Sequence, residues 1–309
     1  MLIIGHQKNW QLLKKLAELD KLPHALLFSG QEKLGKRTLA TEFVKWLLKE
    51  DIGKRQHPDF IFIEPEEKEI KISQIRELIW KLSLKPSVAP FKVAIIDQAH
   101  CLNQEAQSSL LKTLEEPRGK ALLILITEYP ETLLPTILSR LQKIKFYPVK
   151  KTEIEDYLQK NGVGEKESEE IIRFSLGKPG QVMDFISNPQ KLKAQKKTVS
   201  DFIKVSNSNL NSRFRYVKDL SAAPQDLNPV RDYKIKKEPQ REQISNGVKE
   251  TLDTWTGHLR DILVSGILPP KYSFDKLKDI INLIQKTNFL LSTTNVNPRL
   301  ALEILMLEL

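Results

Sequence analysis

The feature that most limits the fold is an alternation of short apolar runs and longer amphipathic stretches in residues 1–150. The apolar runs have strand length and cover 24–30, 60–65, 92–97 and 121–127. They are apolar along most of their length, which is typical of central strands in a parallel sheet with no wet face. Helical patterns lie between them, over 36–50, 73–84 and 103–117. This alternation predicts a three-layer α/β domain.

Within residues 1–150, Ser73 is predicted to be the N-cap of the helix at 73–84, and Pro117 is predicted to end the helix at 103–117. After residue 150 the chain shows only helical patterns. Helices over 151–162, 165–177 and 179–187 predict a small three-helix domain at 151–190. Residues 191–309 predict an all-α domain, with a long loop at 221–242 because that stretch is rich in proline and charge. Pro298 suits the first turn of the last helix.

A glycine-rich loop follows the first predicted strand. Gly30, Gly35 and Lys36 satisfy the phosphate-loop pattern G-x-x-x-x-G-K-[ST] up to its last position. The predicted order of strand, loop and helix aims free backbone N–H groups and a positive helix end at a phosphate. This context predicts a P-loop architecture.

Two residues needed for magnesium-dependent hydrolysis are replaced. Arg37 stands where a Ser or Thr hydroxyl would hold Mg²⁺, and guanidinium offers only donors. The hydroxyl of Thr38 lies one position on, turned about 100° along the helix. Asp97 ends a buried strand and suits a magnesium site, but the next residue, Gln98, cannot act as a base toward water. Contact of Arg37 with a phosphate and exposure of Arg37 to solvent both remain open.

Composition limits the remaining functions. The chain has a net charge of +10, which permits contact with a polyanion. A single cysteine, Cys101, excludes an internal disulfide and a cysteine-rich zinc module. The N-terminal apolar run is short and soon followed by charge, so no signal peptide or membrane span is expected and a cytoplasmic location is predicted.

Several segments together resemble one family. They are HPDF at 57–60, IKISQIRELIWKLSLKP at 70–86, VAIIDQAHCLNQEAQSSLLKTLEEP at 93–117, LPTILSR at 134–140 and NVNPRLALEILML at 295–307. In order and spacing they resemble the delta-prime family of bacterial DNA polymerase III clamp-loader subunits. The pair LLKTLEEP and PTILSR is the specific part of this resemblance, whereas the glycine loop alone is not.

The resemblance implies an AAA+ nucleotide-binding fold at 1–150, a helical lid at 151–190 and a helical collar at 191–309 that joins subunits into a ring. It implies a subunit that does not hydrolyse ATP and lends an arginine finger to a neighbour. The matching residues are Arg140 and Ser139. The implied partners are gamma/tau-like motor subunits, a delta subunit, the sliding clamp and primed DNA held by the whole complex.

The resemblance also carries departures. Thr127 matches the position that senses the γ-phosphate, but Gln181 stands where active relatives place a second sensing arginine. The family's S-R-C reads Ser139-Arg140-Leu141, and the four-cysteine zinc module is replaced by residues 49–56, so no zinc is expected. Lys36 and Asp97 are retained, which leaves weak ATP or ADP binding open, with no cofactor required.

Two other functions remain as alternatives. One is an active gamma/tau-like motor ATPase that tolerates Arg37 and Gln98. The other is a free-standing nucleic-acid binder, which rests on positive charge alone. The lysines that favour it are Lys193, Lys196, Lys197, Lys234, Lys236 and Lys237. A lysine-rich run is more often a solvated helix face, and no aromatic residues are interleaved for base stacking.

Overall fold

A computed structural model describes residues 3–49, 57–66, 68–116, 120–221, 237–266, 272–294 and 296–309. The chain divides into two compact units, Met1–Met183 and Asp184–Leu309. Each unit is described by itself below.

The first unit is built on a five-stranded parallel sheet. The strands are β1 (Ala25–Ser29), β2 (Phe60–Ile63), β3 (Lys92–Ile96), β4 (Ala121–Thr127) and β5 (Gln142–Lys145). Their order across the sheet is β2-β3-β4-β1-β5. The predicted parallel α/β sheet is therefore confirmed.

The edge strand β5 escaped sequence prediction. It pairs with β1 in parallel, with Leu26 opposite Gln142 and Ser29 opposite Lys145. Only Ile144 in its centre is buried, and the other positions of β5 are exposed. A short polar edge strand has no apolar run to mark it, so pattern alone could not identify it.

The described helices of the first unit are α1 (Gln7–Glu18), α2 (Lys36–Leu48), α3 (Ile72–Ser83), α4 (Gln104–Glu115), α5 (Pro135–Leu138), α6 (Lys151–Lys160), α7 (Glu165–Ser175) and α8 (Pro179–Ser187). Four of them, α1 to α4, cover the two faces of the sheet, and the last one, α8, continues into the second unit. Helices α1 and α2 share a core with alternate strand residues such as Phe28 and Ile95. Helices α3 and α4 share the opposite core with Leu27 and Ile96. The result is the predicted three-layer arrangement.

One helix start was predicted wrongly. Ser73 lies inside α3, because the helix begins at Ile72 and its N-cap is Lys71. The Lys71 N–H donates to Gln74 Oε1 at 3.0 Å, which satisfies a free donor at the helix start. A glutamine at the third helical position thus replaces the serine that the pattern suggested. Asn103, by contrast, caps α4 by accepting from the Ala106 N–H.

The second unit is helical. It contains α9 (Pro189–Ser206), α10 (Leu210–Leu220), α11 (Lys237–Ser265), α12 (Phe274–Thr293) and α13 (Pro298–Glu308), after the end of α8. Its core surrounds the fully buried Trp255 and includes Leu277, Ile284 and Leu302. Pro298 lies in the first turn of α13, as predicted, and Asn297 caps that helix.

The predicted loop at 221–242 is wrong in part. Residues 237–242 are helical and begin α11, while 222–236 lie outside the described residues. The division between the units lies within α8, so α6 and α7 belong to the first unit. A separate lid domain at 151–190 stays a prediction.

A buried carboxylate fixes the approach to β3. Asp59 is fully buried and accepts hydrogen bonds from the N–H groups of Ser87, Val88 and Ala89 at 2.8, 2.8 and 3.0 Å. Lys92 Nζ lies 3.4 Å from Asp59 Oδ1. Burial raises the pKa of Asp59, but these donors outweigh it and lower the pKa from 3.8 to about 2. The charged form of Asp59, the residue before β2, therefore holds the loop that precedes β3.

The variant Asp59→Asn should lower the free energy of unfolding at pH 7 by about 2 kcal/mol, since hydrogen bonds to a charged group are lost and an amide donor faces N–H groups. A lowered pKa stabilises the fold above about pH 4 and loses this effect as the pH falls toward about 2. Urea denaturation at pH 7 and pH 3 measures both effects.

The exposed Asp156→Asn serves as the control and should change stability little at either pH. An equal loss in both variants, or a loss in Asp59→Asn that does not shrink in acid, would contradict this role of Asp59.

Candidate nucleotide site and external arginine

The carboxyl edge of the sheet gathers most of the predicted site residues. Strand β1 leads into Gly30, β3 leads into Asp97, and β4 ends at Thr127. Thr127 lies opposite Ser29 in the sheet, and the Gly30 N–H donates to the Thr127 carbonyl oxygen at 3.2 Å. Because the strands are parallel, their carboxyl ends meet at one edge, where open α/β sheets bind ligands.

The glycine loop has the backbone that its sequence predicts. Gly30 has a φ of 150°, and a Cβ at this position would lie 2.6 Å from the Phe146 carbonyl oxygen. Gly35 has a φ of 87° and precedes the first residue of α2. Both positions therefore need glycine. The loop ends in a true helix N-terminus, with the Leu39 N–H bonded to the Gly35 carbonyl.

The P-loop lysine is turned onto its own loop. Lys36 Nζ donates to the carbonyl oxygens of Gly30 and Gln31 at 2.5 and 2.6 Å. The residue is only 7% exposed. Its ammonium group is thus satisfied by backbone, and a phosphate would have to replace those contacts.

Arg37 lies on the carboxylate predicted to hold magnesium. Arg37 Nη1 is 3.3 Å from Asp97 Oδ2 and 3.4 Å from Glu64 Oε2. The guanidinium carbon lies 4.5 Å from the centre of the Phe62 ring. The side chain is 58% exposed, so it is neither fully solvated nor directed at the loop. Its cation takes up the place beside Asp97 where a divalent ion would bind.

The electrostatics of Asp97 follow from this arrangement. Burial raises the pKa of Asp97 and outweighs the Gln98 N–H, which donates to Oδ1 at 3.0 Å, and the charge of Arg37, both of which act to lower it. The side chain is 12% exposed, so the carboxylate sits in a partly desolvated position. Such a carboxylate needs a nearby cation, and Arg37 supplies one.

The other predicted residues of this edge have ordinary local partners. Thr127 Oγ1 accepts from the Tyr129 N–H at 3.0 Å and lies 3.3 Å from His100 Nδ1. Gln98 is exposed and has a φ of 50°. Thr38 is exposed, one residue beyond Arg37 on α2. The structure therefore places Thr127 at this edge, where its hydroxyl is hydrogen-bonded within the chain.

The start of helix α8 contacts the glycine loop. The Gly180 N–H donates to the Lys33 carbonyl oxygen at 2.8 Å. A Cβ on Gly180 would lie 3.0 Å from both the Lys33 carbonyl oxygen and the Lys33 Cβ. Gln181, the position of the missing sensing arginine, is the next residue of α8 and is partly buried. The loop is thus directly covered by the start of this helix.

Arg140 and Ser139 lie at the opposite edge of the sheet. They connect α5 to β5, whose first residue Gln142 pairs with Leu26 near the start of β1. Glycine loop residues follow the other end of β1. Arg140 therefore cannot reach the nucleotide site of its own sheet, and the structure does not bring the two predicted groups together.

The Arg140 side chain is held in place from both ends. Nη2 lies 2.7 Å from Glu115 Oε1, and Nη1 donates to the Thr136 carbonyl oxygen at 2.7 Å and to Ser139 Oγ at 3.4 Å. The Arg140 side chain is 33% exposed. Sequence reasoning missed Glu115 and Glu64, although both occur in segments already singled out: Glu115 is the last residue of α4, and Glu64 directly follows β2.

No group of three or more His, Cys, Asp or Glu able to hold a metal ion occurs among the described residues. Residues 49–56 stand where the family has its zinc module, and all of them except residue 49 lie outside that part of the chain. Within the described helices, none has the length and apolar character that crossing a bilayer requires.

Comparison with known proteins finds similarity to DNA polymerase III subunits. Residues 5–150 match the family model described as DNA polymerase III, delta subunit. DNA polymerase III subunit delta' of Bacillus subtilis is 36% identical over 162 residues, 48% of this chain and 49% of that protein. The Pseudomonas aeruginosa subunit delta' is 34% identical over 42% of this chain and 46% of its own length. The predicted resemblance to delta-prime clamp-loader subunits is confirmed, and the matches span about half the length of these relatives.

Proteins named as tau or gamma subunits and a solved structure also match. The tau/gamma subunit of Haemophilus influenzae is 30% identical over 60% of this chain and 29% of that protein. The crystal structure of a gamma subunit-related protein from Thermotoga maritima has a TM-score of 0.50 and 19% identity, covering 96% of this chain and 97% of that one. At this identity the likeness shows the fold alone, an α/β sheet domain with further helices.

The contact of α8 with the loop predicts a specific glycine effect. Gly180→Ala should lower the free energy of unfolding by about 1 kcal/mol, since the new methyl group presses on the Lys33 backbone. Gly247→Ala, in α11 with nothing within 4 Å of its added Cβ, should instead raise it by roughly 0.5–1 kcal/mol. Urea denaturation of both variants measures the difference. Stabilisation by both changes would contradict the close contact at Gly180.

Proposed function

We propose that this chain is a delta-prime-like subunit of the DNA polymerase III clamp loader that does not hydrolyse ATP. It would complete an AAA+ ring with gamma/tau-like motor subunits and a delta subunit. The ring would load a sliding clamp on primed DNA during replication. Family similarity supports the clamp-loader assignment, and the geometry of the two sheet edges supports the inactive role.

The observation that carries the proposal is the contact of Arg37 with Asp97. A magnesium ion at this carboxylate would meet the fixed positive charge of Arg37, whose Nη1 lies 3.3 Å from Asp97 Oδ2, and Gln98 supplies no water-activating carboxylate. Lys36 is also engaged by its own loop. Weak binding of ATP or ADP would therefore be independent of magnesium, and no cofactor would be required.

Arg140 is proposed to act on a neighbour's nucleotide. Its separation from its own glycine loop by the length of β1 excludes action in cis. The planar guanidinium can stabilise charge on a γ-phosphate supplied by another chain, the arginine-finger mechanism that accelerates phosphoryl transfer by roughly 10³ to 10⁵.

The second candidate is an active gamma/tau-like motor. Similarity to tau/gamma subunits favours it, as does a P-loop whose backbone is intact. Two residues argue against it. Arg37 replaces the Ser or Thr whose hydroxyl would hold Mg²⁺, and Gln98 replaces the carboxylate that would activate water. Measured nucleotide binding separates the two candidates.

The variant Arg37→Thr should create magnesium-dependent nucleotide binding, because it frees Asp97 and adds the missing hydroxyl. Calorimetric titration with ATP should give at least about tenfold tighter binding with Mg²⁺ than with a chelator. Arg37→Ala, which frees Asp97 without adding a hydroxyl, should gain less. Magnesium-dependent binding by the unaltered chain would contradict the proposed role of Arg37.

The second experiment tests Arg140 in a ring reconstituted from this chain with its cognate motor and delta subunits. Arg140→Ala should lower DNA-stimulated ATP hydrolysis and clamp loading by at least about tenfold, since one active site loses its finger. Glu115→Ala removes the same ion pair but keeps the arginine, so it should leave both rates within about twofold.

Equal losses in the two variants would mean that the ion pair matters only for folding or assembly. Normal rates with Arg140→Ala would overturn the finger directly. Gel filtration of each mixture confirms that the ring has formed before rates are compared.

A further inference from the structure

A cavity separate from the candidate nucleotide site opens between α3 and α4. Its volume is about 350 Å³, within the range of ligand-binding clefts. His24, which precedes β1, and Ala121, which begins β4, lie in its wall, so it sits at the amino edge of the sheet. The glycine loop follows the carboxyl edge. The cavity therefore cannot belong to the nucleotide site.

Small polar residues leave the space open. Ser83 on α3 and Ser109 on α4 line the cavity, where larger side chains would fill it. The Ser83 hydroxyl donates to the Trp80 carbonyl at 2.7 Å, and the Ser109 hydroxyl donates to the Ala106 carbonyl at 2.8 Å. Their protons are already used within the helices, so these hydroxyls offer acceptor lone pairs to an occupant.

The walls are apolar and include an exposed tryptophan. Ile79, Leu82 and Leu123 line the cavity together with Trp80. Trp80 is 61% exposed, and Leu84, just after α3, is 45% exposed. An exposed tryptophan beside an apolar cleft is the kind of residue that contributes most to protein binding.

Two cations stand at the cleft without acidic partners. Arg76 and Lys112 both line it and are exposed, and neither forms an ion pair within the described part of the chain. Lys81 on the same helix α3 differs, since its Nζ lies 2.6 Å from Glu77 Oε1. Among the described lining residues Glu116 is the single acidic one, against Arg76 and Lys112, so their summed charge is positive.

We propose that this cleft binds a peptide segment of another protein that carries a large apolar side chain flanked by carboxylates. The apolar side chain would fill the cavity against Trp80 and Leu82, and the carboxylates would pair with Arg76 and Lys112. Charge complementarity selects an acidic partner. A nucleic acid fits less well, because Trp80 is the one Trp, Tyr or Phe among the described lining residues, which leaves little surface for base stacking, and Glu116 would repel a phosphate.

The test uses a fluorescein-labelled hexapeptide with a central Leu-Phe pair flanked by glutamates, titrated with the full chain and followed by anisotropy. Binding should weaken at least about tenfold when lysines replace the glutamates or when Gly-Gly replaces Leu-Phe. Trp80→Ala, Arg76→Glu and Lys112→Glu should each weaken it at least about fivefold. Lys81→Glu, an equal charge change on α3 outside the lining, should weaken it less than about twofold.

Each other outcome overturns the proposal. No binding of the acidic peptide, equal binding of the lysine peptide, or equal losses in Lys81→Glu and Arg76→Glu would exclude a specific acidic-peptide cleft. Displacement of the peptide by oligothymidylate through the same three residues, with tighter binding of the oligonucleotide, would assign the cleft to nucleic acid instead. Circular dichroism melting curves that match the unaltered chain exclude misfolding as the cause of any loss.

Discussion

Strand β1 is the element on which the rest of the first unit depends. Every residue of β1 is buried, and the strand is hydrogen-bonded to β4 on one side and β5 on the other. All strands are parallel, so one edge of the sheet collects the glycine loop and Asp97, and the other collects Arg140. A chain with this sheet can offer an arginine to a neighbour, but it cannot bring that arginine to its own glycine loop.

At the carboxyl edge of the sheet, the side chains and backbone of the candidate nucleotide site bond to one another. Lys36 bonds its own loop, Arg37 neutralises Asp97, and Gly180 places α8 against Lys33. In an active P-loop protein the equivalent groups are free to meet phosphate and metal. In the proposed account, Lys36 and Arg37 would have to leave these partners before ATP could bind in that manner. Retention of the loop therefore fits a structural role, in which its glycines shape the join between β1 and α2.

Part of this architecture followed from sequence pattern and part did not. The central strands and the glycine loop were predictable because continuous apolar runs and glycine spacing report burial and backbone geometry directly. Strand β5 was not, since only Ile144 in it is buried. The destination of Arg37 was also not predictable, because its partner Glu64 is 27 residues away and only the pairing of β2 with β3 brings it near Asp97. The helical start at 237–242 was hidden by its proline and charge content.

The central claim is that the glycine loop of this chain does not turn over ATP. Phosphate release by the isolated chain, at saturating ATP with Mg²⁺, tests it most directly when compared with Lys36→Ala. The account predicts no release above that of the Lys36→Ala variant. Turnover that disappears in Lys36→Ala would contradict it and would identify the chain as a motor in its own right.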